Sequence, residues 1–536
     1  MKGRGTFDRL TLLVGALVAV GVLASVAAAA AAGIDARVST HDLVPSDSYA
    51  ASTGVPDVFQ QNEPSIAVHP TNSSVLAVGM NDVRTLALSN DAWQTLAFST
   101  DGGASWSESF IPGYPGDTSA AGLTSPIRGN QAASDPWLSF DNFGNLFFAF
   151  VAFQRTPPGQ PANTVANALA VARYSVSAGG ATYAKTVVVE RGTVGLGQQE
   201  DKEALAVDNV STRFPGRIYV CWARFSGAQN HLSVTYSADH GETWATSNFV
   251  GPQRDVNNMQ GCNLAVQPDG DVFVSYRTFD NNPSSSNPND SGIFVARSSD
   301  GGATFTAPVD VATFRDYRQN ATRTPPVFRV FAVTALAADA NGVYVGWTGR
   351  NGANGGDVFV SRSKLDGAEG SWETPVHPTA GANAHELMPS LAAAGGKLSV
   401  LWYDSRSEPS FSASGPVTGQ CPAGATTGSG CTGMDVYYNQ ADAMAAGPLS
   451  FGSEVRVTDQ SFNPNLYGSI KAITPFIGDY VGLAADASTA FAAWADNRDI
   501  NPTANAAEDA DPTTNPASLI NSRSRDANIY FDKIAK

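Results

Sequence analysis

The sequence predicts an all-β protein, a β-propeller of four-stranded blades, and three observations carry that expectation. The first is a hairpin signature that occurs three times: Ser99-Thr-Asp101-Gly-Gly103-Ala-Ser-Trp106, Ser237-Ala-Asp239-His-Gly241-Glu-Thr-Trp244 and Ser298-Ser-Asp300-Gly-Gly302-Ala-Thr-Phe305. The second is the spacing of these strings and their worn copies. Val176 to Tyr183 keeps the glycines and the aromatic, while Ser363 to Trp372 and Asn439 to Phe451 are stretched versions. Starts at 99, 176, 237, 298 and 363 lie 77, 61, 61 and 65 residues apart, a period suited to four strands and their loops. The third is an independent repeat of paired strands ahead of each hairpin.

In the hairpin, the Asp accepts backbone N–H groups within a tight turn and the Gly supplies a position with φ > 0. The aromatic opens the return strand and packs against the turn. Asp101, Asp239 and Asp300, with Trp106, Trp244 and Phe305, are therefore expected to be structural.

The strand pairs begin with short apolar runs at Ser65–Val68, Trp137–Phe140, Ala204–Val207, Asn263–Val266, Ala335–Ala338, Ser390–Ala393 and Gly482–Ala485. An Asp, Asn and Gly-rich turn follows each, then an alternating aromatic strand such as Ile218–Trp222, Val272–Tyr276, Val343–Trp347 or Leu398–Trp402. Seven such units close into a ring that leaves only short, protected edges. Six blades with a decorated insert is the alternative. The last unit ends at Ile529–Asp532 without a fourth strand, and the segment around Val55 to Phe59 is expected to supply it.

The repeats run without a linker, so residues 55–536 are read as one domain, preceded by a linker at 34–54. Charged residues make up 15% of the chain and the net charge is −16, which excludes a nucleic-acid partner because no basic stripe offsets it. Lys2, Arg4 and Arg9 precede an apolar run from Leu10 to Gly33 that ends in A-x-A sites. Residues 1–33 read as a signal peptide, or as an uncleaved anchor given the length of the run. Either way the propeller is exported: secreted, or held outside the cytoplasm by that segment.

Four cysteines suit that compartment. Cys421 and Cys431 bracket a Gly, Ala and Thr-rich insert and are expected to pair. Cys221 and Cys262, at the edges of adjacent units, either bridge neighbouring blades or stay as buried thiols. With no C-x-x-C and only scattered histidines, neither a metal nor a cofactor is expected.

The hairpin strings resemble the Asp-boxes, or bacterial neuraminidase repeats, of the sialidase superfamily, and the strand pairs resemble that family's blades over nearly the whole mature chain. The resemblance implies a propeller with its site on the face opposite the hairpins. It also implies exo-glycosidase chemistry on terminal acidic sugars, in which three Arg grip the sugar carboxylate and a Tyr attacks, helped by a Glu, with an Asp handling the leaving-group proton. The family usually has six blades. Its first clamp Arg opens the first blade in an [FY]-R-I-P string. Here the matching stretch is Gln61-Asn62-Glu63-Pro64-Ser65-Ile66, with Asn62 at the Arg position.

Arginines nevertheless recur just past the second strand of each unit: Arg84, Arg155, Arg224, Arg277, Arg350, Arg406 and Arg498. Each is expected either to pair with a neighbouring acid such as Asp82, Asp404 or Asp496, or to grip an anionic ligand. Carboxylates gather before the innermost strands at Glu63, Asp135, Asp201, Glu203, Glu386 and Asp479, with Tyr480 beside the last. The catalytic set implied by the resemblance is Tyr480 as nucleophile, Glu386 as its base and Asp82 as the acid. The missing clamp Arg favours a monomeric propeller that binds a glycan or an envelope protein without full sialidase activity. The alternative is an exo-α-sialidase-type glycoside hydrolase.

Overall fold

In this computed structural model the chain forms seven antiparallel sheets arranged in a ring. The structure describes residues 33–39, 43, 61–89, 91–155, 167–192, 198–226, 229–251, 259–279, 291–319, 327–331, 333–351, 355–379, 381, 383–425, 428–466, 475–500 and 527–536. The expected leader or anchor at residues 1–32 lies outside them. Among the described residues, no helix is long and apolar enough to cross a membrane.

Blade 1 contains Gln61–His69, Asn72–Asp82, Trp93–Ser99 and Ser107–Phe110, from the innermost strand outward. Blade 2 contains Ala132–Phe140, Asn145–Phe153, Asn167–Ser177 and Gly180–Arg191. Blade 3 runs Gln198–Val207, Ile218–Ser226, Gln229–Ser237 and Asn248–Val250. Blade 4 runs Met259–Val266, Val272–Phe279, Ser291–Ser298 and Val309–Phe314. Blade 6 is Glu386–Ala394, Lys397–Asp404, Asp435–Asp442 and Val455–Arg456.

Blade 5 is thinner. It has three strands, Ala335–Asp339, Gly342–Arg350 and Gly356–Ser363, and isolated bridges Val360–Val376 and Ser363–Trp372 stand in for the fourth.

Blade 7 closes the ring. Its strands Gly482–Ala485, Thr489–Asp496 and Asn528–Ala535 are completed by Ala36–Arg37, paired with Phe531 and Tyr530. The closing strand thus comes from the stretch expected to be a linker, so the domain begins upstream of residue 55. The expected strand at Val55–Phe59 lies outside the described residues. Val38, fully buried, and Asp35, which meets Arg498, hold the closing pair in place.

The core consists of apolar clusters wedged between neighbouring blades. Buried Trp222, Trp347, Trp402 and Trp494 occupy the same register in the second strands of blades 3, 5, 6 and 7. The Cys221–Cys262 disulfide joins the second strand of blade 3 to the first of blade 4, and Cys421–Cys431 pins the insert of blade 6.

The hairpin turns are built as expected. In the first, Ser99 Oγ accepts from the Gly103 amide (2.9 Å) and donates to Asp101 Oδ1 (2.8 Å), which also accepts from the Ser105 amide (2.9 Å). The turns at Asp239 and Asp300 repeat this geometry. Their second glycines, Gly103, Gly241 and Gly302, have φ of 87°, 80° and 86°. A Cβ there would meet Phe531, Phe147 or Tyr219 of the preceding blade, so glycine serves both the turn and the blade contact. Trp106 is buried edge-on against Phe531, and Trp244 and Phe305 pack against the neighbouring clusters. In blade 5, Leu365 replaces the Asp of the string, and Ser363 Oγ alone accepts the turn amides of Leu365 and Gly367.

Candidate functional site

The innermost strands start on the face opposite those turns, and in five blades the start is broken by a β-bulge. Register shifts fall between Asn62 and Ser65, Ser134 and Trp137, Asp201 and Ala204, Gln260 and Asn263, and Leu387 and Ser390. Inside each bulge one residue is left-handed: Glu63 (φ 52°), Asp135 (63°), Lys202 (52°), Gly261 (63°) and Met388 (54°). Four of the five carry a side chain in a region that costs of order 1–3 kcal/mol and recurs at functional sites. The bulges of blades 1, 2 and 3 bring Glu63, Asp135 and Lys202 together, and the corresponding place in blade 7 holds Asp479 and Tyr480.

Lys202 is the hub. Its Nζ lies 3.3 Å from Glu63 Oε1, 3.0 Å from Asp135 Oδ1 and 2.9 Å from Asp479 Oδ2. Arg329 closes the cluster from outside, its Nε donating to Asp479 Oδ1 at 3.0 Å. Asn81 donates to Glu63 Oε2 (2.8 Å) and Asn62 Oδ1 (2.9 Å), while its own oxygen accepts from Gln94 and from the Asp135 amide. Asn62, at the position of the family's clamp Arg, is thus part of an amide network rather than an empty place.

Burial sets the charge states. It pushes the Glu63 carboxyl well up, with Lys202 opposing and the Asp135 and Asp479 charges reinforcing the rise. Burial also works against ionisation of Asp135, but Lys202 and hydrogen bonds from its neighbours outweigh it and hold this carboxyl below the usual range. Asp201 is raised by burial and by Asp135. Glu203 is raised well above the ordinary range, first by burial, and neither of its oxygens has a hydrogen-bond partner among the described residues. Burial alone would discharge Lys202, yet the surrounding carboxylates raise it, so it stays a cation and not a nucleophile. Tyr480, raised by burial and the adjacent acids, donates its hydroxyl to the Pro136 carbonyl at 3.3 Å and packs on Trp137.

Glu63, Asp135, Asp201, Glu203, Asp479 and Tyr480 therefore do meet at one mouth. The proposed catalytic set does not. Asp82 is bound to Arg84 in blade 1, and Glu386 in blade 6 accepts from the Val358 amide at 3.2 Å. No contact among the described residues joins either to Tyr480: Asp82 is held at the end of its strand by Arg84, and Glu386 is held against blade 5 by the Val358 amide.

Most of the arginine series is likewise committed to carboxylates of the chain. In blades 1, 6 and 7 one arrangement repeats. Arg84 bridges Asp82 and Glu108 (2.8 Å to the latter), and Arg406 bridges Asp404 (2.7 Å) and Glu454 (2.6 Å). Arg498 bridges Asp496 (2.7 Å) and Asp35 (2.7 Å) and also reaches Asp459. One acid ends the second strand and the other stands at the outermost strand, so the guanidinium ties the sheet together across its width. Arg224 pairs with Glu200 and Glu190, Arg277 with Asp316, and Arg155 with Asp91 of blade 1. These six arginines therefore form the ion pairs that were one of the two expectations. Arg350 differs: no carboxylate pairs with it among the described residues, and its guanidinium lies 5.1 Å from the Tyr317 ring centroid.

Lys202 and Arg329 were not anticipated. Lys202 sits in the acidic string Gln199-Glu200-Asp201-Lys202-Glu203, and Arg329 lies between repeats. A signal for the bulges was present in Glu63-Pro64, Asp135-Pro136 and Met388-Pro389, since proline inside a strand marks a bulge.

No protein-family model matches the chain, and no curated protein matches it in sequence. Among solved structures it is similar to a protein of unknown function from Dyadobacter fermentans, at 14% identity over 69% of this chain and 94% of that one, with a TM-score of 0.39. It is also similar to the leech intramolecular trans-sialidase, at 13% identity, 68% and 67% coverage and a TM-score of 0.40. The phage phi92 endosialidase is similar at 7% identity, 94% and 69% coverage and a TM-score of 0.46.

Proposed function

We propose that this chain is an exported, sialidase-like propeller that binds glycan at the cell envelope and does not hydrolyse sialosides. The hairpin strings and the placement of the polar mouth opposite them support the sialidase-like reading. The observation that carries the loss of hydrolysis is the saturated mouth. Lys202 is consumed by three acids whose side chains are only 2%, 6% and 1% exposed, and six of the seven serial arginines have carboxylate partners. A sialic acid carboxylate would meet more acids than free cations there.

One observation favours a hydrolase instead. Neighbouring carboxyls are pushed apart in acidity, Asp135 down and Glu203 up, the division that acid–base pairs use. Incubating purified protein with a fluorogenic sialoside, alongside a glycan array, separates the readings. Array binding without turnover supports the binding module. Turnover abolished by Tyr480→Phe or Glu203→Gln establishes the hydrolase.

A further inference from the structure

Blade 5 lacks the acids that blades 6 and 7 use to close their sheets, and a cavity of about 730 Å³ lies there. In blades 6 and 7 the buried Trp donates its indole N–H to the Asp two residues on: Trp402 to Asp404 and Trp494 to Asp496, both at 3.1 Å. The same Asp then holds Arg406 or Arg498. In blade 5 the Trp is Trp347, and the register places Gly349 where those acids stand. The second acid of blade 6, Glu454, precedes Val455, which pairs with Tyr438. The equivalent pair in blade 5 is Val376 with Val360, so Pro375 replaces the Glu.

Both losses leave marks. Trp347 is 2% exposed, and its indole N–H has no hydrogen-bond partner among the described residues. Among the described residues, Arg350, one residue before the register position of Arg406, has no carboxylate partner, and neither has Arg315, whose carbonyl accepts from the Arg350 amide at 2.7 Å. Trp347, Arg350, Arg315, Phe314, Phe359 and Pro375 all line the cavity. Its walls are aromatic: Trp347 stacks on Phe359 at 5.7 Å and 11°, with Phe314 at 6.2 Å. Asn351, also at the wall, is tied to Asp357 at 2.6 Å.

We infer that this cavity between blades 4 and 5 binds a uronate residue of an acidic saccharide, whose carboxylate takes the place of the missing blade acid. The carboxylate accepts from the Trp347 indole and pairs with Arg350 and Arg315, while the pyranose ring lies against the half-buried edge of Phe359, whose ring is flanked by Trp347 and His377. A buried donor left open, two cations and flat apolar walls fit this better than an extended acidic peptide. The inference deepens the binding-module reading by naming a ligand class and a place for it, away from the Lys202 mouth.

Calorimetric titration of the full protein with tri-galacturonate, maltotriose and a tetraglutamate peptide tests it. Tri-galacturonate is expected to bind, and the other two are not. Arg350→Gln should weaken binding by about 10-fold or more, the loss of one charge-assisted pair. Trp347→Phe, which keeps a ring and removes the donor, should weaken it several-fold. Gly349→Asp should abolish it by supplying the acid internally. Its Cβ would lie 3.0 Å from Phe314 and 3.1 Å from Phe359, so the two other variants decide the matter if this one fails to fold. The inference is overturned if tri-galacturonate does not bind, if maltotriose or tetraglutamate binds equally well, or if Arg350→Gln and Trp347→Phe leave affinity unchanged. Array binding of neutral glycans alone would sink the uronate site and leave the binding module standing. No glycan binding at all would sink both.

Discussion

The two faces of the ring treat their carboxylates in opposite ways. On the hairpin face, the Ser105 hydroxyl and amide bring Asp101 down to about 2. For Asp239 burial opposes the shift, but the hydrogen bonds from Thr243 and Ser237 together outweigh it and bring the carboxyl to about 2. Every acceptor is used within its own turn, the aspartates stay exposed, and the left-handed positions of the strings fall chiefly on glycine. On the mouth face, Glu63, Asp201 and Glu203 are pushed up by burial, and left-handed backbone falls on Glu63, Asp135 and Lys202. One face is satisfied locally and serves the fold. The other holds strain and charge that only tertiary contacts balance.

The largest expected effect falls on the mouth. Lys202→Met removes the cation shared by Glu63, Asp135 and Asp479 and leaves buried acids without their partner, a change worth about 3–5 kcal/mol. Denaturant unfolding that shifts by less than about 1 kcal/mol would mean that the mouth relaxes like a surface and that the contrast between faces is false.

A smaller effect carries a sign. The Glu203 carboxyl binds its proton more tightly folded than unfolded, so its contribution is harmless below the unfolded value near 4.5 and destabilises the fold as pH rises above it. Glu203→Gln is neutral at every pH. Its melting temperature relative to the parent should therefore be higher at pH 8 than at pH 5, each unit of upward shift being worth about 1.4 kcal/mol. A difference independent of pH would show Glu203 to be ionised and solvated.

The smallest belongs to the hairpin face. Asp300→Ala frees donors that water can reach, so it should cost only about 1 kcal/mol. The hydrogen bonds from Thr304 outweigh a burial penalty and lower the Asp300 carboxyl, so its contribution is present above the ordinary value of 3.8 and lost as pH falls below it. Loss of glycan binding in a normally folded Asp300→Ala protein would reverse the assignment of the two faces.

Much of the fold was legible because it is periodic. The S-x-D-x-G strings and the alternating strands write the same hairpins and strand pairs several times, and local hydrogen bonds execute them. The closing strand was not legible, because Ala36–Arg37 is two residues long and is recognisable only by its pairing with Phe531 and Tyr530. At the site, the acids and arginines were visible as residue types in register. Which of them spend their charge on each other was not, since Arg406 finds Glu454 and Lys202 finds Asp479 only after the ring has closed. The absent acid of blade 5 could have been read by aligning Trp347-Thr348-Gly349 with Trp402-Tyr403-Asp404, but a missing group attracts attention only once its orphaned partners are seen.

The central claim is that one arginine series divides between bracing and recognition. The most direct measurement pairs melting temperature with tri-galacturonate affinity for Arg406→Ala and Arg350→Gln. The account predicts a crossover: Arg406→Ala melts earlier and binds normally, while Arg350→Gln melts normally and binds weakly. If both variants lose stability with affinity intact, or both lose affinity with stability intact, the division does not exist.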